Sequence, residues 1–125
     1  MTQQTPEQAH TLFVEAFNAG DLEAVFSLYE PDAMTVPAPD KPPVSGSKAI
    51  RQALEGYLAL KAKIELETKF VMEADGLALL RSVWRMTGTS PEGEPFEMSH
   101  SGTEVVRRQP DGSWKYILDH PFGAD

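Results

Sequence analysis

The chain has 125 residues, no cysteine and a formal net charge of −8 at neutral pH. That length suits one domain over residues 1–125 with a core of its own, and the missing cysteines exclude disulfides, thiolate catalysis and cysteine-ligated metals. The acidic balance opposes binding to phosphate backbones, and the pair Arg107–Arg108 is too small a basic cluster to offset it, so nucleic acid is not expected as a partner.

The start, Met1 to Gln8, is polar and carries no apolar segment of the signal-peptide kind. No run is long enough to cross a bilayer. With the absence of cysteine, these features lead us to expect a cytoplasmic protein without a membrane partner.

Thr5-Pro6-Glu7-Gln8 has the spacing of a capping box, with Thr5 as the cap and Pro6 at the first helical position. Ala9, Leu12, Phe13, Ala16 and Phe17 then give one apolar helical face, and His10 falls on the outer, solvated side. Asn18-Ala19-Gly20-Asp21 ends this helix and caps a second, which carries Leu22, Val25, Phe26 and Tyr29 inward until Pro31 stops it. A short strand is expected around 33–36, then an irregular proline-rich loop from Pro37 to Val44. Ser47 is placed to cap a third helix with Ala49, Ile50, Ala53, Leu54, Tyr57 and Leu58 along one side.

Four strands follow, and their even-numbered residues are mostly apolar. Ile64, Leu66, Thr68, Phe70 and Met72 are followed by Leu80, Ser82, Trp84 and Met86. Then come Phe96, Met98, His100, Gly102, Glu104 and Val106, and last Trp114, Tyr116, Leu118, His120 and Phe122. Side chains two apart share a sheet face, so these residues predict one buried face across four strands.

Turn chemistry fixes the expected register. Ala74-Asp75-Gly76 is a hairpin signal, and Gln109-Pro110-Asp111-Gly112 fits a three-residue loop with Gly112 left-handed. That loop sets Gly102 opposite His120 and makes His100 and His120 diagonal neighbours, roughly 7–8 Å apart at the backbone. The loop from Thr89 to Pro95 sets Trp84 opposite His100. A four-residue loop at 109–112 would instead turn Asp119 inward. On the odd-numbered face Glu65 and Arg85 lie across from each other, among charges broken up by Leu79, Val83, Val105 and Ile117. Such a mixture fits a half-wet surface or a dimer interface.

Polar groups on a buried face need partners or a purpose, and a pocket is the purpose expected here. His100, His120 and Glu104 are the candidate acid/base groups. Phe13, Tyr29, Tyr57, Trp84, Met86, Met98 and Leu118 are the candidate wall of a site for a small apolar molecule. Glu104 either faces the ligand or reaches solvent or an arginine. Two imidazoles and a carboxylate also suit zinc or iron, but no compact ligand motif occurs, so neither a metal nor a cofactor is expected.

Phe17-Asn18-Ala19-Gly20-Asp21-Leu22, Tyr29-Glu30-Pro31-Asp32-Ala33, Gly46-Ser47-Lys48-Ala49-Ile50 and Asp111-Gly112-Ser113-Trp114-Lys115 together resemble the nuclear-transport-factor-2-like (NTF2-like) superfamily. The likeness covers nearly the whole chain and is nearest to its small SnoaL-like, ketosteroid-isomerase-like proteins. It implies an α+β cone, three N-terminal helices packed into a strongly curved antiparallel sheet, and a homodimer formed through the outer sheet face.

It also implies acid/base chemistry on an apolar carbonyl compound, by isomerisation, dehydration or cyclisation. A non-catalytic binding or dimerisation module is the alternative. Set against the ketosteroid isomerases, the first-helix tyrosine becomes Phe13 and the strand base becomes Pro37, while the second oxyanion donor falls near Glu104. That disfavours the isomerase route itself. Scytalone dehydratase is matched only by residue type, through His100, His120, Tyr29 and Tyr57. The aspartate–arginine–aspartate set of limonene epoxide hydrolase finds no counterpart on the even face.

Overall fold

A computed structural model describes residues 4–125. The expectation for the polar start, so far as it concerns residues 1–3, lies outside the described residues. The first helix, α1, spans Gln8–Asn18, with Glu7 rather than Thr5 at its cap. Half of the capping box forms, since the Thr5 N–H donates to Gln8 Oε1 at 3.1 Å. Phe13 and Phe17 stack with ring centroids 5.8 Å apart. At the far end Asn18 acts as a piece of strand: its amide donates to the Ile64 carbonyl at 3.0 Å and accepts from the Ile64 N–H at 2.8 Å. This clamp fixes α1 on the sheet.

Helix α2, Leu22–Phe26, is capped by Asp21, which accepts from the Ala24 N–H at 3.1 Å. It ends earlier than its apolar spacing predicts. Ser27 Oγ donates back to the Ala24 carbonyl at 2.7 Å, a local bond that competes with helix continuation. Tyr29 therefore opens a strand, β1 (Tyr29–Thr35), instead of closing a helix. Val44–Ser45 forms a short β2 at the end of the proline loop. Helix α3, Ser47–Leu58, starts after Gly46 at φ 91°. The Ser47 hydroxyl does not cap it; it donates to the Pro31 carbonyl at 3.3 Å.

The remaining strands are β3 (Lys63–Ala74), β4 (Leu77–Thr89), β5 (Pro95–Arg108) and β6 (Trp114–His120). They join β1 and β2 in one open six-stranded sheet of order β2-β1-β6-β5-β4-β3. The pairs are antiparallel except β1 with β6, which run parallel, so the sheet is mixed and not purely antiparallel. Strands so far apart in the chain need no hairpin to pair, which leaves either direction open to them. Asp75 and Gly76 both have positive φ, 52° and 76°, as a two-residue type I′ turn requires.

Strand β4 keeps strict alternation: Ala78, Leu80, Ser82, Trp84 and Met86 are all buried on one face, and Trp84 pairs with His100. Its neighbours do not. The β3 register shifts between Thr68 and Phe70, and the β5–β6 register shifts where Val106 pairs with Tyr116 but Val105 pairs with Leu118. One extra residue, Lys69 in β3 and Ile117 in β6, reverses the facing of everything beyond it.

Phe70 and Met72, expected inside, are thus exposed on the outer face, as is Leu118 at 47%. His120 pairs with Thr103 and is exposed, while Asp119 turns inward beside Glu104. The loop at 109–112 is the three-residue one expected, with Gly112 at φ 88°. The reversal comes from the bulge, not the turn.

Candidate functional site

Helices α1 and α3 and the concave sheet face border a cavity of about 70 Å³. Phe13, Phe17, Ile50, Leu54, Ile64, Leu66, Trp84 and Met86 supply its apolar wall, with Tyr29, Tyr57 and Tyr116. Its polar groups are His10, Thr35, Ser82, Glu104 and Asp119. No lysine or arginine lines it among the described residues.

Glu104 is 5% exposed, and both its oxygens are taken. Oε1 accepts from His10 Nε2 at 2.5 Å, and Oε2 accepts from Ser82 Oγ at 3.0 Å. His10, 3% exposed, reaches Thr68 Oγ1 through Nδ1 at 2.7 Å. With Nε2 donating to Glu104, Nδ1 accepts the Thr68 hydroxyl proton in the neutral ring and donates to it in the charged ring. Gly102 makes room for this set. A Cβ there would lie 2.5 Å from Glu104 Oε2 and 2.9 Å from Ser82 Oγ.

Asp119 lies opposite Glu104 across the β5–β6 ladder. Its Oδ2 accepts from the Tyr29 hydroxyl at 2.6 Å. Burial pushes the Asp119 carboxyl up to about 7, and the nearby Glu104 charge pushes the same way; hydrogen bonds from Tyr29 and Thr35 offset part of the rise. Burial likewise holds the Tyr29 and Tyr116 phenols well above their usual range, with Asp119 the next cause for Tyr29 and Glu104 for Tyr116. Tyr57 is raised for the same first reason, and its hydroxyl donates to the Pro37 carbonyl at 2.8 Å, tying the proline loop to α3.

Of the residues singled out in the sequence, Glu104, Phe13, Tyr29, Tyr57, Trp84 and Met86 line the cavity. His100, His120, Met98 and Leu118 do not. His100 keeps the inward phase, but residues 121–125 cover it. Phe122 stands edge-on to its ring at 4.8 Å, and Asp125 Oδ2 takes its Nδ1 at 2.7 Å. The Trp84 indole N–H donates to the Pro121 carbonyl at 2.8 Å, which fixes that cover. Met98 packs half-buried against the core edge, opposite Met86. His120 and Leu118 face outward because of the Ile117 bulge.

Sequence reasoning missed Thr35, and His10, expected on the solvated side, is buried in the cavity wall; Tyr116 was expected on the buried face but not as a site residue, and an inward Asp119 only from a longer loop at 109–112. His10 had a readable signal, since it shares a helical stripe with Phe13 and Phe17 at spacings of three and seven. The bulge that turns Asp119 inward had none, because an extra residue leaves no mark in a period-two pattern.

Three helices laid in an open, curved six-stranded sheet make this an NTF2-like protein in fold. Within that class, the profile of the SnoaL-like domain matches residues 11–117, and the chain belongs to that family. Solved structures agree in fold. A ketosteroid isomerase-like protein from Erwinia carotovora atroseptica is 24% identical, with a TM-score of 0.75 over 92% of this chain and 90% of that one. A candidate dehydratase of the NTF2-like family from Streptomyces avermitilis is also 24% identical, with a TM-score of 0.76 over 93% and 96%. A conserved protein from Planctomyces limnophilus is 18% identical, with a TM-score of 0.82 over 93% and 91%. None of the curated proteins compared matches the chain.

Proposed function

We propose that the chain is a cofactor-independent acid/base enzyme acting on a small, apolar, carbonyl-bearing molecule, with Asp119 as its proton-transfer group. The observation that carries this reading is a carboxyl group facing an apolar cavity with its ionisation pushed up to about 7. A proton acceptor works best when its pKa lies near the working pH. The Asp119 carboxylate takes a proton from the carbon α to the carbonyl and leaves an enolate. The acid so formed returns that proton to another carbon, an isomerisation, or to a departing hydroxyl that leaves as water, a dehydration. Glu104, with both oxygens already bonded, supplies negative charge that keeps Asp119 basic. His100 and His120 have no part in this reading, because neither lines the cavity.

Phenylacetone in deuterated buffer is a direct test. The protein is expected to accelerate exchange of its α-protons at least ~100-fold, with a rate limb near pH 7 that Asp119→Asn removes. Exchange no faster than in buffer, or untouched by Asp119→Asn, would overturn the reading.

The second reading, a non-catalytic binding or dimerisation module, draws on Pro37 standing where related isomerases carry their strand base. The outer sheet face adds to it. Met72, Leu79, Val105, Leu118 and Met34 form one cross-strand row through five strands, with Met72 57% and Leu118 47% exposed. Such a row suits a homodimer interface on that face. Sedimentation equilibrium showing only monomer at micromolar concentration would exclude it. The cysteine-free sequence supports a place in the reducing cytoplasm.

A further inference from the structure

The cavity holds three tyrosines, and two have spent their hydroxyls. Tyr29 donates to Asp119 and Tyr57 to the Pro37 carbonyl. The Tyr116 hydroxyl has no hydrogen-bond partner among the described residues and is not a sealed, unsatisfied atom, and Tyr116 lines the cavity. Tyr116 itself is only 3% exposed. Its ring is held on two sides, by Tyr29 at 5.1 Å and edge-on by Phe13 at 6.3 Å. A phenol so fixed has few other positions to adopt.

The backbone explains how this hydroxyl and Asp119 come to share one space. Positions 116 and 119 differ by an odd number, so a regular strand would send them to opposite faces. The extra residue at Ile117 brings both inward. The geometry points to Tyr116 as the residue that binds the ligand: its free hydroxyl donates to the acceptor oxygen of a neutral ketone or aldehyde whose carbon frame lies against Trp84 and Phe13.

The ligand class follows from the lining. No cationic side chain is present among the described residues to hold a carboxylate or phosphate, and two carboxyl groups repel an anion. A neutral acceptor oxygen meets one unpaired donor, and the rest of the molecule meets aromatic and aliphatic wall. Burial and the neighbouring Glu104 and Asp119 charges keep the phenol protonated, so the donor persists across the physiological range. When charge builds on the oxygen during enolisation, the same hydrogen bond strengthens, because an ionised acceptor bonds more strongly than a neutral one. Related isomerases are expected to place a donor tyrosine on the first helix, where this chain has Phe13; here the hydroxyl comes from β6, against that same Phe13.

This assignment rests on the proposed carbonyl substrate, but its test needs no turnover. Acetophenone and α-methylstyrene have nearly the same shape and differ in C=O against C=CH₂. The wild-type protein is expected to bind acetophenone about tenfold more tightly than the hydrocarbon, the worth of one net hydrogen bond. Tyr116→Phe keeps the ring and should bring the ratio to about one, with the melting temperature little changed. The carbonyl stretch of bound acetophenone should lie lower in the wild type than in Tyr116→Phe. An unchanged ratio and an unchanged stretch in the variant would overturn the assignment, as would a wild type that binds neither compound or does not distinguish them. A preserved carbonyl preference without α-proton exchange would instead sink only the catalytic role of Asp119.

Discussion

Strands β4 and β6 feed the same cavity, yet they reach it by different rules. β4 alternates without a break, so Leu80, Ser82, Trp84 and Met86 face inward as period-two counting requires. β6 follows that count through Trp114 and Tyr116, then gains a residue at Ile117 and presents Asp119 in place of Leu118. The regular strand supplies wall, and the irregular one supplies the carboxyl of unusual ionisation. A bulge near a site re-aims side chains, and here it converts a surface aspartate into a cavity acid. β3 carries the same device at Lys69 but uses it to send Phe70 and Met72 to the outer face.

The largest expected effect concerns the partner that makes the cavity tolerable to charge. His10→Ala leaves Glu104 buried with one oxygen unpaired, and unfolding in urea should show a loss of about 3–5 kcal/mol. A loss under ~1 kcal/mol would mean that α1 does not hold this carboxylate. The two strands can next be compared leucine against leucine. Leu80 in β4 is fully buried and Leu118 in β6 is 47% exposed. Leu80→Ala should cost about 2–5 kcal/mol, and Leu118→Ala under ~0.5 kcal/mol, by the same measurement. Equal costs would deny the reversal at Ile117.

The finest comparison uses the absence of native cysteine. Single variants Asp119→Cys and His120→Cys differ by one position along β6. The second should alkylate with iodoacetamide roughly tenfold or more faster than the first, because its side chain meets water and the other is shielded. The opposite order would restore an unbroken strand.

Much of the fold was legible because local chemistry and alternation agreed. The Asp75-Gly76 turn, the Gln109–Gly112 loop, the facing of β4 and the Trp84–His100 pairing all follow from residue types that permit few alternatives. The site was legible only in part. Glu104, Trp84 and Met86 sit on unbroken stretches and could be placed. His120, Leu118 and Asp119 lie beyond an insertion that sequence alone does not announce. Alternation gives the phase of His100 opposite Trp84, but its covering by Phe122 and Asp125 depends on how residues 121–125 fold back, a tertiary choice. The spacing of Tyr29 fits a helix end, whereas the Ser27 back-bond ends the helix first.

Asp119 is a cavity carboxyl whose ionisation burial pushes up to about 7. Its unfolded counterpart should ionise near pH 4. A carboxyl with a raised folded pKa contributes stability that is complete below the unfolded value and is lost as pH rises through the folded one. The decisive measurement is unfolding free energy against pH for the wild type and Asp119→Asn. Between about pH 4 and 7 the wild type should lose a few kcal/mol, at most roughly 4, relative to the variant, levelling off above that range. Parallel curves across that interval would show an ordinary solvated carboxylate, and a difference confined to pH below 4 with the wild type gaining as pH rises would show a carboxylate the fold stabilises in its charged form; either result would contradict a raised Asp119.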